Sequence, residues 1–364
     1  MANDNPANRP RSRRRQAVTI KHVAADAGVS LQTVSRVINE DPTVTPEMRT
    51  RIQASIDKLG YVPSIAAQRM SGSRSYLIVS INDRDRTIAD WTGRQGVDWV
   101  DQMLLGGMLK CAEFGYRMII ELVDTHSDHV ERELRGTIGA LRPDGVILTP
   151  PHSDNDLITN LLADQHITFT RIGSLRPGPG IRMTMDDEHA ARLAVEHLIE
   201  LGHRRIGFIS GSDEYSLSEW RIEGWKSAMN EVGLTTEGLL VNGDFSYESG
   251  ERAARQLLSL DEPTTAIIAS NDQMALASLE VARAFGLSVP GDLSLISFDN
   301  TPIVRCTVPP LTAVDQPIAA TISRAVELII DAQRGAASPE EPIVIPATLF
   351  VRQSTGPAPS AHGR

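Results

Sequence analysis

Apolar and small residues recur every three to four positions in two short segments near the start of the chain, within TIKHVAADAGVSLQTVSRVIN (residues 19–39). This spacing predicts two amphipathic helices whose apolar stripes face each other. The apolar positions are Ile20, Val23 and Ala24 in the first segment and Val34, Val37 and Ile38 in the second.

The junction between these segments predicts a tight turn. Gly28 suits a left-handed turn conformation, and the Ser30 hydroxyl can cap the second helix. This order is typical of a helix-turn-helix, whose second helix enters the DNA major groove. An ordinary pair of core helices is the alternative interpretation. The positions left on the outer face of the second helix are Leu31, Gln32, Ser35 and Arg36.

A third helix is predicted directly afterwards, which favours the DNA-binding interpretation. It runs from Thr45 to Leu59, with Thr45 as N-cap, Pro46 at the first helical position and Gly60 as terminator. Its apolar residues can close a small three-helix core.

From about Tyr76 onward, β-rich runs alternate with amphipathic helical stretches, which is typical of parallel sheets covered on both faces. We expect two successive α/β units joined by a hinge. The Pro- and Gly-rich segment 174–180 (SLRPGPG) is interpreted as the crossing between the two lobes. The expected strands span 77–82, 117–123, 145–150, 167–172, 205–210, 239–245, 265–270 and 293–299.

Polar residues at the ends of these strands are candidate ligand contacts, because ligands of open α/β sheets bind beyond the carboxyl ends of the strands. Each also has a structural interpretation, since Asn and Asp cap helices and shape turns. Asp272 is read first as the N-cap of a helix over 273–285, and Arg221 can equally be a surface ion-pair member. The candidates at strand ends are Asp83, Arg171, Asn271, Asp272 and Asp299.

Charge is distributed unevenly along the chain. Residues 1–75 contain 12 Lys+Arg and 6 Asp+Glu, whereas the whole chain carries a net charge of -10. The basic end would be drawn to a polyanionic duplex and the acidic remainder repelled. The tract Arg9 to Arg15 (RPRSRRR) is either a disordered arm that touches phosphates or a solubilising tail.

The bulk properties indicate a soluble, cytoplasmic protein. No stretch approaches the roughly 20 apolar residues of a membrane span, and the basic N-terminus is followed by a helix-turn-helix instead of a signal-peptide core. Cys111 and Cys306 lack the spacing of a metal or disulfide framework, so both are expected to be buried thiols. His126 and His129 lie three apart, but a solvated loop is favoured over a metal pair. We expect no metal and no cofactor.

These residues resemble the lactose-repressor (LacI/GalR-type) family of bacterial transcription regulators over roughly residues 18–354. The most specific match is VTIKHVAADAGVSLQTVSRVIN, followed by PTVTPEMRTRIQASIDKLGYVPSIAAQRMSG. Further matches include AVEHLIELGHRRIGFISG (194–211), RIEGWKSAM (221–229), SNDQMALASLEVARAFGLSVPGDLSLISFDN (270–300), PPLTAVDQP (309–317) and VRQST (351–355).

The resemblance implies an all-α helix-turn-helix head, a hinge helix and a two-lobed core like the periplasmic sugar-binding proteins. The implied boundaries are a basic arm over 1–17, a head over 18–62, a hinge and linker over 63–75, a core over 76–355 and a tail over 356–364. The implied effector contacts are Arg221, Phe245, Asn271, Asp299 and Gln316, with Asp83 and Arg171 aligned less securely.

The resemblance also implies DNA contacts outside the recognition turn. In the family, two hinge helices pack in the minor groove and wedge a base step open, and Met70 stands at the wedge position here. The segment 63–72 is short enough to fold only upon binding. Leu31 departs from the family pattern by offering only apolar contact. The expected DNA-contacting residues are Leu31, Gln32, Thr33, Ser35, Arg36, Asn39 and Met70.

Two features bear on the ligand and on assembly. The segment 82–96 (NDRDRTIADWTGRQG) is unlike the family's usual short loop at the cleft, so the effector's identity is open. The tail after Thr355 has no apolar heptads, so we expect no C-terminal coiled coil. We expect a homodimer on a palindromic operator.

The leading functional hypothesis is therefore a DNA-binding transcriptional repressor, controlled by a carbohydrate bound between two lobes. A solute receptor for a transporter is opposed by the basic head and the missing signal peptide. An α/β enzyme is opposed by the absence of GxGxxG, GxxxxGK[ST], GxSxG and HExxH motifs. No catalytic residue is expected.

Overall fold

The structure, a computed structural model, describes residues 18–38, 41, 43–61, 74–93 and 98–359. The chain divides at Ser75 into two compact units. The expected hinge over 63–72, with Met70, lies outside the described residues, as do Asn39 and the basic arm.

The first unit is a three-helix head comprising α1 (Ile20–Ala27), α2 (Leu31–Ile38) and α3 (Pro46–Leu59). Its small core includes the fully buried Val23, Val34 and Ile52, one from each helix. Gly28 takes the left-handed conformation at φ 65°, as expected for the turn, and Ser30 Oγ accepts a hydrogen bond from the Thr33 amide at 3.1 Å. The three-helix prediction is confirmed.

The second unit alternates strands and helices. In chain order, its first part comprises β1 (Leu77–Asp83), α4 (Arg84–Gly93), α5 (Asp98–Glu113), β2 (Arg117–Val123), α6 (Val130–Leu141), β3 (Gly145–Leu148), α7 (Asp156–Asp164), β4 (Thr168–Ile172) and β5 (Ile181–Thr184). The chain continues through α8 (Asp187–Glu200), β6 (Ile206–Ser210), α9 (Ser216–Glu231), β7 (Leu240–Asn242), α10 (Tyr247–Leu258), β8 (Ala266–Ala269), α11 (Asp272–Ala284), β9 (Ser294–Asp299) and β10 (Thr312–Asp315). It ends with α12 (Ile318–Gln333), β11 (Ile343–Val344) and β12 (Thr348–Phe350).

These strands form two six-stranded sheets, one in each lobe. Lobe one has the strand order β11-β5-β4-β3-β1-β2 and is parallel throughout. Lobe two has the order β12-β10-β9-β8-β6-β7, in which only β12 runs antiparallel to its neighbour. Helices cover both faces of each sheet, with separate apolar cores beneath them. The two-lobed doubly wound core is confirmed.

The connections between the lobes differ from the sequence expectation. Segment 174–180 joins the neighbouring parallel strands β4 and β5 inside lobe one, so it is not the crossing. The chain instead crosses between β5 and α8, between β10 and α12, and between β11 and β12. β5 and β10–β12 were missed because three of them include a polar residue and β11 has only two residues, so none shows the four consecutive nonpolar residues of the equally short β3 and β8.

Two further expectations are corrected. The segment after β1, read as an altered loop, begins with the helix α4. Cys111 is buried as expected, but Cys306 is exposed, because it follows the short 3₁₀ helix Pro302–Arg305 in the surface connection from β9 to β10. Among the described residues, no helix has the length and apolar character to cross a membrane.

Helix α5 packs closely against α12 at Gly106, and this contact yields a stability prediction. A Cβ at Gly106 would lie 2.0 Å from the backbone oxygen of Ala319, so Gly106→Ala forces the two helices apart. We expect a loss of about 1–3 kcal/mol in the free energy of unfolding. Gly136→Ala in α6 is the matched control, because nothing lies within 4 Å of its Cβ.

The control should be neutral or gain about 0.5–1 kcal/mol, since alanine is the better helix former. Urea unfolding followed by circular dichroism would measure both changes. Equal effects of the two substitutions would contradict the packing role of Gly106.

Candidate functional site

A cavity of about 130 Å³ lies between the two lobes at the carboxyl ends of their strands. We call it the interlobe cavity. About 10–15 Å³ suffices for one water, so the space admits a ligand of several carbon atoms. Its lining includes six of the seven sequence-predicted effector contacts, namely Asp83, Arg221, Phe245, Asn271, Asp299 and Gln316.

Arg221 lines this cavity and belongs to a buried ion pair. Arg221, on α9, donates from both Nε and Nη2 to Oδ1 of Asp187, at 2.9 and 2.8 Å, and its Nη1 donates to the Ser270 carbonyl at 2.6 Å. The Arg221 side chain is 2% exposed and that of Asp187 is 0% exposed. The alternative interpretation of Arg221 as a surface ion-pair member is therefore wrong.

The same carboxylate connects two of the lobe crossings. Asp187 is the first residue of α8, just after one crossing, and it also accepts from Gln316 Nε2 at 2.9 Å, just before another. Its Oδ2 is buried without a hydrogen-bond partner among the described residues. Sequence reasoning missed Asp187, because it follows the short strand β5, which was missed as well.

Asn271 holds the start of α11 and the backbone beside the aromatic wall. Its Oδ1 accepts from the Met274 amide at 2.9 Å, and its Nδ2 donates to the Phe245 carbonyl at 2.8 Å. Asn271 is thus the helix N-cap, the role first assigned to Asp272. Asp272 is instead the first helical residue, and its Oδ2 accepts from the amide and the hydroxyl of Thr301, both at 2.7 Å.

Phe245 and Tyr215 form an aromatic wall, stacked with ring centroids 5.6 Å apart. Phe245 lies at a positive φ of 68°, an unusual conformation for a bulky residue. A Cβ at Gly211 would lie 1.9 Å from Cζ of Phe245, so glycine at 211 leaves room for the ring.

Polar side chains of lobe one reach across the cavity to lobe two. Arg86, on α4, donates to the carbonyls of Asp244 at 2.7 Å and Phe245 at 3.1 Å. The Tyr215 hydroxyl donates to Oδ2 of Asp83 at 3.3 Å. These contacts hold the lobes together at the aromatic wall. Sequence reasoning did not single out Arg86, although it lies in the atypical segment 82–96.

Two neighbouring carboxyl groups lie at the floor of the cavity in lobe two. Burial, and then the nearby charge of Asp299, raises the pKa of Asp272 to about 8. Burial also raises the pKa of Asp299 to about 6, although the positive charge of Arg221 opposes this shift. Asp272 is therefore largely protonated at neutral pH.

Arg171 does not reach the interlobe cavity. Its side chain is buried within lobe one, where Nε donates to the Ser153 carbonyl and Nη2 pairs with Asp154 Oδ1, both at 2.6 Å. Nη1 donates to the Arg176 carbonyl at 2.9 Å. Arg171 thus fastens the loop 174–180, and its assignment as a ligand contact is not retained. His126 pairs with Glu214 at 3.1 Å, and no cluster of metal-ligating side chains occurs in the part of the chain that the structure describes.

The head presents the expected surface on α2. Gln32 and Arg36 are exposed, and Leu31 is 43% exposed. Thr33 is half-buried, and its hydroxyl lies 2.8 Å from that of Ser30 at the helix start. Ser35 is half-buried. This surface has the shape and chemistry to enter a major groove.

Both units of the chain match known protein families. Residues 19–64 match the model of bacterial regulatory proteins of the lacI family, and residues 195–355 match a periplasmic binding protein-like domain. The HTH-type transcriptional regulator DegA of Bacillus subtilis is 31% identical over 348 residues, covering 93% of this chain and 98% of DegA. CelR of Thermobifida fusca is also 31% identical, covering 94% of this chain and 99% of CelR.

Solved structures show the same architecture. The lac repressor dimer bound to operator and the anti-inducer ONPF superposes with a TM-score of 0.74 at 26% identity, covering 94% of this chain and 100% of that one. The complex of CelR with cellobiose gives 0.69 at 29% identity, covering 93% and 99%.

The fold and the head define a DNA-binding transcriptional regulator with a periplasmic-binding-protein-like core. The chain belongs to the lacI family. Its relatives are transcriptional regulators and not enzymes.

The raised pKa of Asp272 predicts a pH-dependent stability. The folded state holds this proton more tightly than the unfolded chain does, so its stabilising contribution is full at low pH and is lost as pH rises through about 8. Between pH 6 and pH 9 the contribution should fall by on the order of 1–3 kcal/mol.

Asp272→Asn removes the titration, so we expect a flatter dependence of the melting temperature on pH over this range. Exposed Asp261→Asn in the same lobe is the control and should follow the wild type. Parallel curves for the wild type and Asp272→Asn would contradict the assignment.

Proposed function

We propose that this regulator is a cytoplasmic repressor whose affinity for a palindromic operator is controlled by a carbohydrate bound in the interlobe cavity. The observation that carries the proposal is the cavity itself, which combines an aromatic wall with convergent polar side chains at the junction of two lobes. A ligand that contacts both lobes stabilises one arrangement over another in proportion to its differential affinity.

The chemistry of the lining supports a polyhydroxyl ligand. The Phe245 ring offers an apolar face to a sugar ring, while Asp299, Gln316 and Asn271 surround it with hydrogen-bonding groups. Among the relatives, the CelR structure holds cellobiose and a lac repressor structure holds ONPG. These ligands support carbohydrate as the class, without selecting a particular sugar.

Contacts beside the lobe crossings transmit the effect of ligand binding to the rest of the molecule. Arg221 and Gln316 both line the cavity, and both bind Asp187 beside the crossings. A ligand that displaces or strengthens these contacts changes the preferred angle between the lobes. Through the hinge segment over 63–75, this change alters whether the head and Met70 can engage DNA. The proposal leaves open whether the effector induces or corepresses.

A homodimer is proposed on two grounds. A palindromic operator needs two heads related by a two-fold axis. In addition, the helix α5 exposes three apolar residues at spacings of three and four, at 49%, 55% and 65% exposure, which a partner copy could cover. They are Leu105, Met108 and Leu109.

A gel-shift assay with DNA from upstream of the protein's own gene tests the central proposal. We expect the protein to shift a palindromic fragment as a dimer at fixed salt. We also expect at least one sugar in a panel to change the affinity of the protein for this fragment. Recovery of that sugar unchanged after incubation is expected, since no turnover is proposed. Failure to shift any palindromic fragment would sink the proposal.

Base reading is proposed to depend on Arg36, whose guanidinium can donate two hydrogen bonds to a guanine edge. Arg36→Ala should weaken specific binding by about 1–3 kcal/mol. Arg36→Lys is the matched control, because it keeps the charge and loses the bidentate geometry. It should retain nonspecific affinity while losing specificity. Measured by fluorescence anisotropy, an unchanged preference for operator over random DNA would remove Arg36 from the interface.

The effector response is proposed to depend on Phe245. Phe245→Ala removes the ring that the sugar packs against, so we expect at least about a tenfold loss in sugar affinity by calorimetry, with operator affinity unchanged in the absence of sugar. Phe285→Ala is the matched control, because this exposed ring lies outside the cavity. Equal sugar affinity in the wild type and Phe245→Ala would exclude the aromatic wall from the site.

A further inference from the structure

We infer that the interlobe cavity selects its carbohydrate by charge: it accepts uncharged and amino-substituted sugars, rejects phosphorylated or carboxylated ones, and uses Asp98 to set this discrimination. The inference rests on the proposed carbohydrate function and adds the class of sugar. It arises from the balance of acidic and basic groups around the cavity.

Carboxyl groups outnumber basic groups in the lining. Lobe one contributes three of them and lobe two contributes two, whereas among the described lining residues only Arg86 and Arg221 are basic. The carboxyl groups are those of Asp83, Asp90, Asp98, Asp272 and Asp299. Even with Asp272 protonated, the described lining residues keep a net negative charge.

Each of the two guanidinium groups already uses three of its five N–H donors in contacts with the protein. Arg221 is held by the Asp187 carboxylate and the Ser270 carbonyl. Arg86 is held by Asp90 at 3.1 Å and by the two carbonyls across the cavity. A phosphate binds a guanidinium best through two parallel N–H donors, so full engagement of either arginine would compete with a buried ion pair or with the contact between the lobes.

Acceptors, in contrast, remain available. The Asp299 carboxylate lines the cavity, and its pKa of about 6 leaves it largely ionised at neutral pH, when it can only accept hydrogen bonds. Such a group favours a ligand that donates hydrogen bonds. Sugar hydroxyl and ammonium groups are donors, whereas a phosphate dianion or a carboxylate accepts only.

Within the described part of the chain, Asp98 has the fewest hydrogen bonds of the three lobe-one carboxylates. It stands at the start of α5 beside Trp99, both line the cavity, and the donor to its carboxylate is its own backbone amide. Asp83 and Asp90 are tied to Tyr215 and Arg86, respectively. Asp98 can therefore be changed without removing a contact between the lobes.

Calorimetry with the full-length protein tests the inference on four matched series. The probes are glucose, galactose, ribose and cellobiose, each compared with its phosphorylated form and, where it exists, its amino and uronic acid forms, at low and moderate salt. We expect an amino form to bind at least as tightly as its neutral parent, and more so at low salt, because screening weakens the attraction.

Phosphorylated and uronic acid forms should bind at least about tenfold more weakly than the neutral parent. This is the effect of two like unit charges about 10 Å apart at an effective dielectric constant of about 20. A phosphate or uronate that binds as tightly as its parent would overturn the charge selection and leave the carbohydrate function standing. Absence of binding in all four series would overturn the carbohydrate function together with this inference.

Two variants, Asp98→Asn and Asp101→Asn, distinguish the effect of a charge beside the ligand from the effect of the protein's net charge. Both remove one negative charge from α5, but Asp101 is exposed and lies outside the cavity lining. For the sugar that binds the wild type, Asp98→Asn should reduce the preference for the neutral over the phosphorylated form by about tenfold. Asp101→Asn should change it by no more than about twofold, because solvent screens a charge outside the cavity. Equal changes in the two variants would overturn the role of Asp98.

Discussion

The buried ion pair between Arg221 and Asp187 is the interaction on which the site depends. An isolated charge in this environment would cost several kcal/mol, so each partner requires the other. Because Asp187 also binds Gln316, the pair ties the cavity wall to two of the places where the chain passes from one lobe to the other. The same carboxylate therefore links α9 of lobe two to the chain segments beside two of the crossings.

Other polar groups of the cavity also hold more than one part of the structure in place. Asn271 caps α11 and fixes the backbone of Phe245, while Arg86 fixes the same backbone from the opposite lobe. The aromatic wall is thus held from both sides. Among the described lining residues, carboxyl groups outnumber basic groups, and this imbalance underlies the charge selection that we propose.

Much of the architecture could be predicted from the sequence, because the relevant signals are local. The helix-turn-helix followed from apolar spacing and from Gly28, and the long strands followed from runs of β-branched residues bounded by turns. The short strands and the crossings could not be predicted this way. The missed strands lack the four consecutive nonpolar residues that mark the equally short β3 and β8. The loop 174–180 resembles a linker in sequence, although Arg171 fastens it inside lobe one.

The sequence by itself determined the three-helix head, the longer elements and the basic charge at the N-terminal end, since these depend on side-chain type and on neighbours along the chain. The family resemblance added six of the residues that line the cavity. Only the tertiary structure decided which polar groups meet. It brought Arg86 to carbonyls more than 150 positions away, paired Arg221 with Asp187 and withdrew Arg171 from the cavity. Those outcomes depend on how the two sheets are placed against each other. A charged side chain has too many candidate partners far along the chain for any local sequence pattern to select one.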